Sequence, residues 1–255
     1  MAIPRKIARD QIGLKSTMAL PFVGVDIWNC YEVSWLNNKG KPEVRILQFA
    51  VPYGSDYIAE SKSVKLYFNS FNGTRFSDEQ KVLEIIQTDL SNITNSQVKV
   101  IIKRLDQVAD GKLGLFNGTC LDSLDIQIDE YDVNPELLIL DFDDEEAEEE
   151  LYSNLLKSNC LVTNQPDWAS VWIKYKGKKI DHASLLKYLV SFRNHSEFHE
   201  QCVEHIFCDI MQKCSPSELT VYAKYTRRGG IDINPYRTNT RYIDTDLDKS
   251  RDIRQ

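Results

Sequence analysis

Long apolar runs are missing from this chain. No stretch approaches the roughly 18 consecutive apolar residues of a membrane helix, so no spanning segment is expected. The opening Met1-Ala2-Ile3-Pro4-Arg5-Lys6 also lacks the apolar core of a secretory signal, which points to a cytoplasmic location. Positive charge is short as well. With 31 Lys and Arg against 38 Asp and Glu, the net charge of −7 argues against direct nucleic-acid binding. It leaves room for a small anion held by a local basic cluster. None of the six cysteines (30, 120, 160, 202, 208 and 214) forms a CxxC pair, which suits free thiols better than a disulfide framework. There is no GxGxxG after a strand and no GxxxxGK[ST], so neither a Rossmann nor a P-loop nucleotide site is indicated. A dinucleotide would need another holder, and Arg227-Arg228-Gly229-Gly230 offers an anion contact.

The pattern that is present reads as two halves of similar order. The 255 residues suffice for one large or two medium domains. From Asp141 to Glu150 eight of ten residues are acidic, a like-charge block that reads as a solvated connector or an open helix start. Before it, Gly24–Leu36 and Glu43–Pro52 read as strands joined by an Asn37-Asn38-Lys39-Gly40 turn. A helix starting at Glu60 buries Val64, Tyr67, Phe68 and Phe71. A second helix opens at Ser77, with Gln80 as its capping-box partner, and runs through Val82, Ile85, Ile86 and Leu90. Val98–Val108 and Leu121–Tyr131 read as strands, the latter alternating Leu124, Ile126 and Ile128 with polar residues. After the acidic block come a strand over Ala169–Lys176, helices over Asp181–Phe192 and Ser196–Cys214, and a strand over Leu219–Thr226. The tail from Thr238 is polar and reads as peripheral. Strands flanking a helix pair, twice, indicate a duplicated α+β unit with antiparallel sheets.

Several residues could carry chemistry. Glu60-Ser61-Lys62-Ser63-Val64-Lys65-Leu66-Tyr67 crowds two lysines, two hydroxyls and a carboxylate into a helix start, where backbone N–H groups favour anions. The run could grip a phosphate, or be an ordinary solvated face. Cys160 lies in a polar segment, with Asp167 seven residues later. A thiolate attacks carbon electrophiles and needs a nearby base or positive field; Asp167, buried against Trp168, could move that proton. Equally, Cys160 could be a structural thiol and Asp167 a turn residue after Pro166. Cys202, Cys208 and Cys214 drift round a helix and read as core cysteines. His195, His199 and Cys202 have ligand-like steps, but no second pair has zinc spacing, and no metal is expected. His199-Glu200 could accept N–H donors from a guanine-like edge and pass a proton, or simply decorate the surface.

Together, Glu60–Tyr67, Cys160 with Asp167, Phe198-His199-Glu200 and Arg228-Gly229 resemble the NADPH-dependent 7-cyano-7-deazaguanine reductases, the nitrile reductases of queuosine biosynthesis. The likeness runs from about Leu14 to Tyr242, and the eight-residue motif fits that family's pattern at every position. The motif precedes Cys160 by about one hundred residues, as in the family's long, two-unit form. The resemblance implies two tandem tunnelling-fold units, 14–140 and 151–242, joined by the acidic connector 141–150. It implies that Cys160 adds to the nitrile carbon of 7-cyano-7-deazaguanine, with Asp167 as proton donor and His199 assisting. Ala59, Glu60, Ser61, His199 and Glu200 would hold the substrate. Ser61, Lys62, Arg228 and Gly229 would meet NADPH. It further implies a homodimer with sites formed between the two halves. Two other classes share such a scaffold: a zinc-dependent enzyme resembling GTP cyclohydrolase, and a non-catalytic purine- or pterin-binding module. Stoichiometric zinc with formate release would mark the first, and ligand binding without a covalent adduct the second.

Overall fold

The computed structural model describes residues 1–15, 17–107, 112–114, 116–141, 146–241 and 250–255. They group into unit 1 (Met1–Met18, Val25–Lys112, Arg227–Ile233) and unit 2 (Ala19–Gly24, Leu113–Thr226, Asn234–Gln255). The first elements are β1 (Ala2–Pro4), α1 (Arg5–Gln11), β2 (Val23–Leu36), β3 (Pro42–Pro52), β4 (Tyr57–Ala59), α2 (Ser61–Asn69), α3 (Glu79–Thr94) and β5 (Lys99–Lys103). The short β6 (Lys112–Leu113) falls at the divide. Unit 2 adds β7 (Thr119–Cys120), β8 (Glu146–Asn159), β9 (Pro166–Lys178), α4 (His182–Ser191), α5 (His199–Cys214) and β10 (Glu218–Tyr225). The strand β11 (Ile231–Thr238) begins in unit 1 and ends in unit 2, and β12 (Ser250–Arg251) is in unit 2.

In unit 1, β2, β3 and β5 form an antiparallel sheet in the order β5-β3-β2. Strand β2 turns its core face over midway. Trp28 and Cys30 are buried from even positions, Val33 and Trp35 from odd ones, because the register shifts between Cys30 and Val33. A bulge of this kind keeps apolar side chains inward despite the odd step. Val64, Phe68 and Phe71 from α2 and its following turn, and Val82, Ile86 and Leu90 from α3, close the core over that sheet. Tyr67 is only half-buried, and its hydroxyl donates to Asp89 (2.6 Å).

Unit 2 repeats the plan. Its sheet runs β11-β10-β9-β8-β7, antiparallel except for the parallel pair β7·β8. Strand β8 is 14 residues long, as β2 is, and has the same kind of shift, here between Ser153 and Leu156. Leu185, Leu186 and Leu189 of α4 and Cys202, Val203, Ile206, Phe207 and Ile210 of α5 supply the buried helix faces. The α+β class with antiparallel sheets, each with a helix pair, is therefore as the sequence indicates.

Several boundaries differ from the sequence reading. The second helix of unit 1 is capped by Asp78, which accepts from the Lys81 N–H (2.9 Å), while the Ser77 hydroxyl donates to Asp78 (2.7 Å). The carboxylate one residue later stands three before the free Lys81 N–H and takes the cap, leaving the Ser77 hydroxyl to brace it. Val98–Val108 shrinks to β5 and a 3-10 turn at Leu105–Gln107, and Val108 lies outside the described residues. Leu121–Tyr131 is no ladder strand: Leu121–Ser123 is a 3-10 turn and the rest runs unpaired by any named strand. The acidic block is not all connector. Residues 142–145 lie outside the described residues, but Glu146–Glu150 begins β8, with Glu146, Glu148 and Glu150 facing Lys178, Lys176 and Lys174 of β9. Opposite charges directly across an antiparallel pair neutralise what would otherwise repel. Beyond Arg227-Arg228-Gly229-Gly230, Ile231–Thr238 is a wholly buried strand. Asp252 is buried, and the Gln255 amide donates to the Tyr225 carbonyl (3.0 Å) and Asn234 Oδ1 (2.7 Å), so neither Thr238 nor the last residues are peripheral. Residues 242–249 lie outside the described residues.

Candidate active site

In unit 2 the chemistry gathers where β8 ends. Cys160 opens the turn into β9, its N–H donating to Gln165 and its carbonyl accepting from Asn164, both at 2.8 Å. Burial pushes the thiol pKa up, and the nearby Asp167 charge adds to that. The Thr163 hydroxyl and the backbone N–H groups of Val162 and Thr163 outweigh both and hold it below its ordinary value. The turn thus wraps the sulfur in donors, as an anion requires.

Asp167, the second residue of β9, sits across from Ser158 and is 4% exposed. Its Oδ2 lies 3.3 Å from His199 Nε2. The His199 ring stacks on buried Tyr225 at 3.7 Å and 5° between planes, which fixes the imidazole edge towards the carboxylate. His199 Nδ1 is buried without a hydrogen-bond partner. Glu200 follows in the first turn of α5, 2% exposed, where the helix end favours negative charge. The loop before α5 is stitched to β8: the Asn159 N–H donates to the His195 carbonyl (2.8 Å) and the Glu197 N–H to the Asn159 carbonyl (3.2 Å). Cys160, Asp167, His199 and Glu200 are brought together in this way at one end of unit 2.

Unit 1 holds the other expected residues. Ala59 is buried at the end of β4, and Glu60 caps α2. Glu60 Oε1 accepts from the Lys62 N–H (2.9 Å), and Oε2 from the N–H (2.7 Å) and hydroxyl (2.8 Å) of Ser63. Burial raises the Glu60 pKa, but these donors bring it below the ordinary carboxylate range. The carboxylate is ionised and pre-aimed, and Oε1 retains acceptor capacity. Ser61 is half-buried and Lys62 exposed in the same turn. Arg228 and Gly229 lie in the turn into β11, where the Arg228 N–H donates to the Ile231 carbonyl (2.9 Å). Gly229 and Gly230 both have positive φ, +60° and +77°, which favours glycine.

Two further basic residues stand beside these: Arg227, read from the sequence only as part of an anion contact, and Lys65, given no role of its own. Lys65, one turn after Lys62, packs under Gly229, where an added Cβ would stand 3.1 Å from its Cε. Lys65 and Gly229 line a cleft of about 220 Å³ together with Glu32 and Gly230. The signal was there in the step of three from Lys62. Arg227 has its guanidinium 3.5 Å from the Tyr31 ring centre, and the Tyr31 hydroxyl donates to Asp232 (2.7 Å). Cys30, in the same cleft, has its thiol pKa pushed well up by burial and by Asp232, so it is a packing residue. Cys202 and Cys214 are likewise buried, as expected of core cysteines, and burial raises the pKa of Cys214 to about 11, whereas Cys208 is only half-buried.

Residues 1–102 match the family profile described as "Nitrile reductase, 7-cyano-7-deazaguanine-reductase N-term", and residues 166–243 that described as "QueF-like protein". A protein of Cupriavidus taiwanensis named NADPH-dependent 7-cyano-7-deazaguanine reductase is 54% identical over 93% of this chain and 86% of its own. One of the same name from Hydrogenovibrio crunogenus is 52% identical over 99% of this chain and 89% of its own. Among solved structures, the archaeosine synthase QueF-Like in the apo form aligns at 16% identity and a TM-score of 0.32, over 36% of this chain and 91% of that one, a likeness too slight to carry an argument.

Proposed function

Since the chain belongs to the family of NADPH-dependent 7-cyano-7-deazaguanine reductases, we propose that unit 2 carries the bond-making of nitrile reduction and unit 1 the groups that hold substrate and cofactor. The reaction is the four-electron reduction of the nitrile of 7-cyano-7-deazaguanine to the aminomethyl group, in queuosine biosynthesis. Cys160 Sγ adds to the nitrile carbon as Asp167 takes the thiol proton and passes it to the nitrile nitrogen, giving a thioimidate. NADPH, when bound, supplies a hydride to that carbon in each of two rounds. The C–S bond breaks after the first, returning the thiolate and leaving an imine, and two protons in all are consumed. The observation that carries this reading is the thiol held low by Val162 and Thr163 beside the buried Asp167–His199 pair.

His199 positions Asp167 and relays its proton, and Glu200 accepts N–H donors of the deazaguanine. Ala59, Glu60 and Ser61 serve the same base from unit 1, with Glu60 Oε1 as acceptor. Leaving such a donor unpaired would cost about 1–3 kcal/mol. Ser61, Lys62, Arg228 and Gly229 hold the cofactor. The cleft beside Lys65 would take an anionic part of it through the Lys65 ammonium group, whose stem lies against Gly229, with Glu32 against Gly230 on the same cleft. No described helix is long and apolar enough to cross a membrane. The enzyme is proposed to act as a cytoplasmic homodimer.

The test is to mix protein, 7-cyano-7-deazaguanine and NADPH and follow loss of reduced-nicotinamide absorbance, with sedimentation of the same sample for the dimer. Two NADPH consumed per substrate is the expected result. Folded protein that consumes none overturns the proposal.

A further inference from the structure

Of the clusters outside the active site, one brings together three side chains suited to a metal. His195, in the loop after α4, Glu197, two residues on, and His205, in the middle of α5, place one donor atom each within 4.8 Å of one another. His195 Nε2 is 3.0 Å and His205 Nδ1 3.5 Å from Glu197 Oε2. All three atoms are buried, and among the described residues none has a partner in hydrogen-bond geometry, although Glu197 Oε2 stands within ion-pair distance of both imidazoles. Buried polar atoms this near, yet not aligned as hydrogen bonds, are costly unless something satisfies them. This is a different grouping from the His195, His199 and Cys202 steps of the sequence, since His199 is engaged with Asp167.

We propose that His195, Glu197 and His205 bind one zinc-like divalent cation through Nε2, Oε2 and Nδ1, with water in the fourth position. Donors about 2.0–2.1 Å from zinc in a tetrahedron stand about 3.3 Å from each other, and the observed 3.0 and 3.5 Å bracket that edge. Two imidazoles and a carboxylate are a donor set that zinc takes with one position left open. The surroundings supply the second layer that metal-bound histidines need. His205 Nε2 faces Asp209 Oδ2 at 3.6 Å, and that oxygen accepts the Tyr188 hydroxyl at 2.6 Å. Phe192 stands edge-on to both imidazoles, 5.8 Å from His195 and 5.5 Å from His205, which fixes their planes.

The cation has a structural consequence. It ties the His195–Glu197 loop to the middle of α5, and the backbone of that loop pairs with Asn159, the residue before Cys160. Binding therefore stiffens the joint between the cysteine turn and the start of the helix that carries His199 and Glu200. Zinc here polarises no substrate; it holds the frame.

The whole protein, stripped with a chelator, is titrated with zinc alone and with cobalt(II) alone. The expected result is one equivalent per chain, the visible bands of four-coordinate cobalt, and a raised Tm. His205→Gln and Glu197→Gln should each lose the equivalent. Asp209→Asn should weaken binding by about 10–100-fold. Cys160→Ala, and His182→Gln from the hydrogen-bonded His182–Glu149 pair, should bind as the parent does. Should both triad variants fail to fold, Asp209→Asn decides. A parent chain that takes up less than one equivalent at micromolar metal overturns the proposal and leaves a plain His–Glu–His contact. So does a His205→Gln or Asp209→Asn chain that binds unchanged, or loss of the equivalent in Cys160→Ala.

Discussion

Units 1 and 2 share a frame and differ at its joints. Both contain a 14-residue strand that shifts register after its eighth residue, Cys30 in one and Ser153 in the other, and both bury a helix pair. In unit 1 the turn after that strand is plain: Asn37 Oδ1 accepts the N–H groups of Lys39 (2.9 Å) and Lys41 (3.1 Å). In unit 2 the matching turn holds Cys160 in a ring of donors. The helices diverge too. Unit 1 has a carboxylate, Glu60, at the start of the first helix of its pair, α2, whereas unit 2 has Glu200 at the start of the second, α5. The sheet cores tolerate no such exchange, because their side chains are close-packed. Turns and helix starts have free N–H groups and solvent on one side, so new chemistry settles there.

The comparison can be broken at its joints. The largest effect after loss of Cys160 itself is expected for Asp167→Asn, which keeps the shape beside His199 but gives up the proton. Turnover should fall about 10²–10⁴-fold, measured by NADPH consumption at saturating substrate. A change of only a few-fold would make Asp167 a packing residue.

Unit 1 offers a paired contrast next. Glu60→Ala and Asp78→Ala each remove a helix cap in the same unit. Each should cost about 0.5–2 kcal/mol in urea unfolding. Only Glu60→Ala should also raise KM for the deazaguanine, by about tenfold to a hundredfold, as the unpaired base N–H predicts. Equal KM values for the two variants would reduce Glu60 to a cap.

Gly229→Ala should be milder and confined to the cofactor. Its φ of +60° disfavours a side chain by about 1–2 kcal/mol, and the new methyl would press on Lys65 at 3.1 Å. KM for NADPH should rise several-fold with kcat little changed. The smallest effect is a shift along the pH axis. Adduct formation needs the thiolate, so its rate should fall as pH drops through the Cys160 pKa, which the donors of Val162 and Thr163 hold below its ordinary value. Thr163→Val removes a donor that lowers that pKa, so the midpoint should move to higher pH. A midpoint that stays put would take Thr163 out of the turn's role.

The sequence makes the frame legible where burial alone decides. Alternation in β2, β3 and β10 and the stripe Val64, Phe68 and Phe71 come through as strands and helix because their apolar spacing matches the core they face. Leu124, Ile126 and Ile128 alternate as well, yet belong to no strand. Periodicity marks an extended chain with a drier face, and a ladder also needs a neighbour that spacing does not encode. The acidic start of β8 is the reverse case. Its charges look solvated until Lys174, Lys176 and Lys178 are placed opposite them, and the alternate lysines of β9 are the sequence cue. Of the candidate site, Cys160, Asp167, His199 and Glu200 are legible through resemblance, since spacing alone left each with a bland alternative. Lys65 is hinted at by the step of three from Lys62, whereas the His195, Glu197 and His205 group is a product of tertiary contact, which no local pattern carries.

The central claim, that Cys160 is the nucleophile of unit 2, is tested most directly by intact-protein mass spectrometry after incubation with 7-cyano-7-deazaguanine and no NADPH. The account predicts a mass gain of one substrate molecule per chain in the parent protein and none in Cys160→Ala, whose fold should be intact by circular dichroism. No gain in the folded parent, or an equal gain in Cys160→Ala, would contradict it.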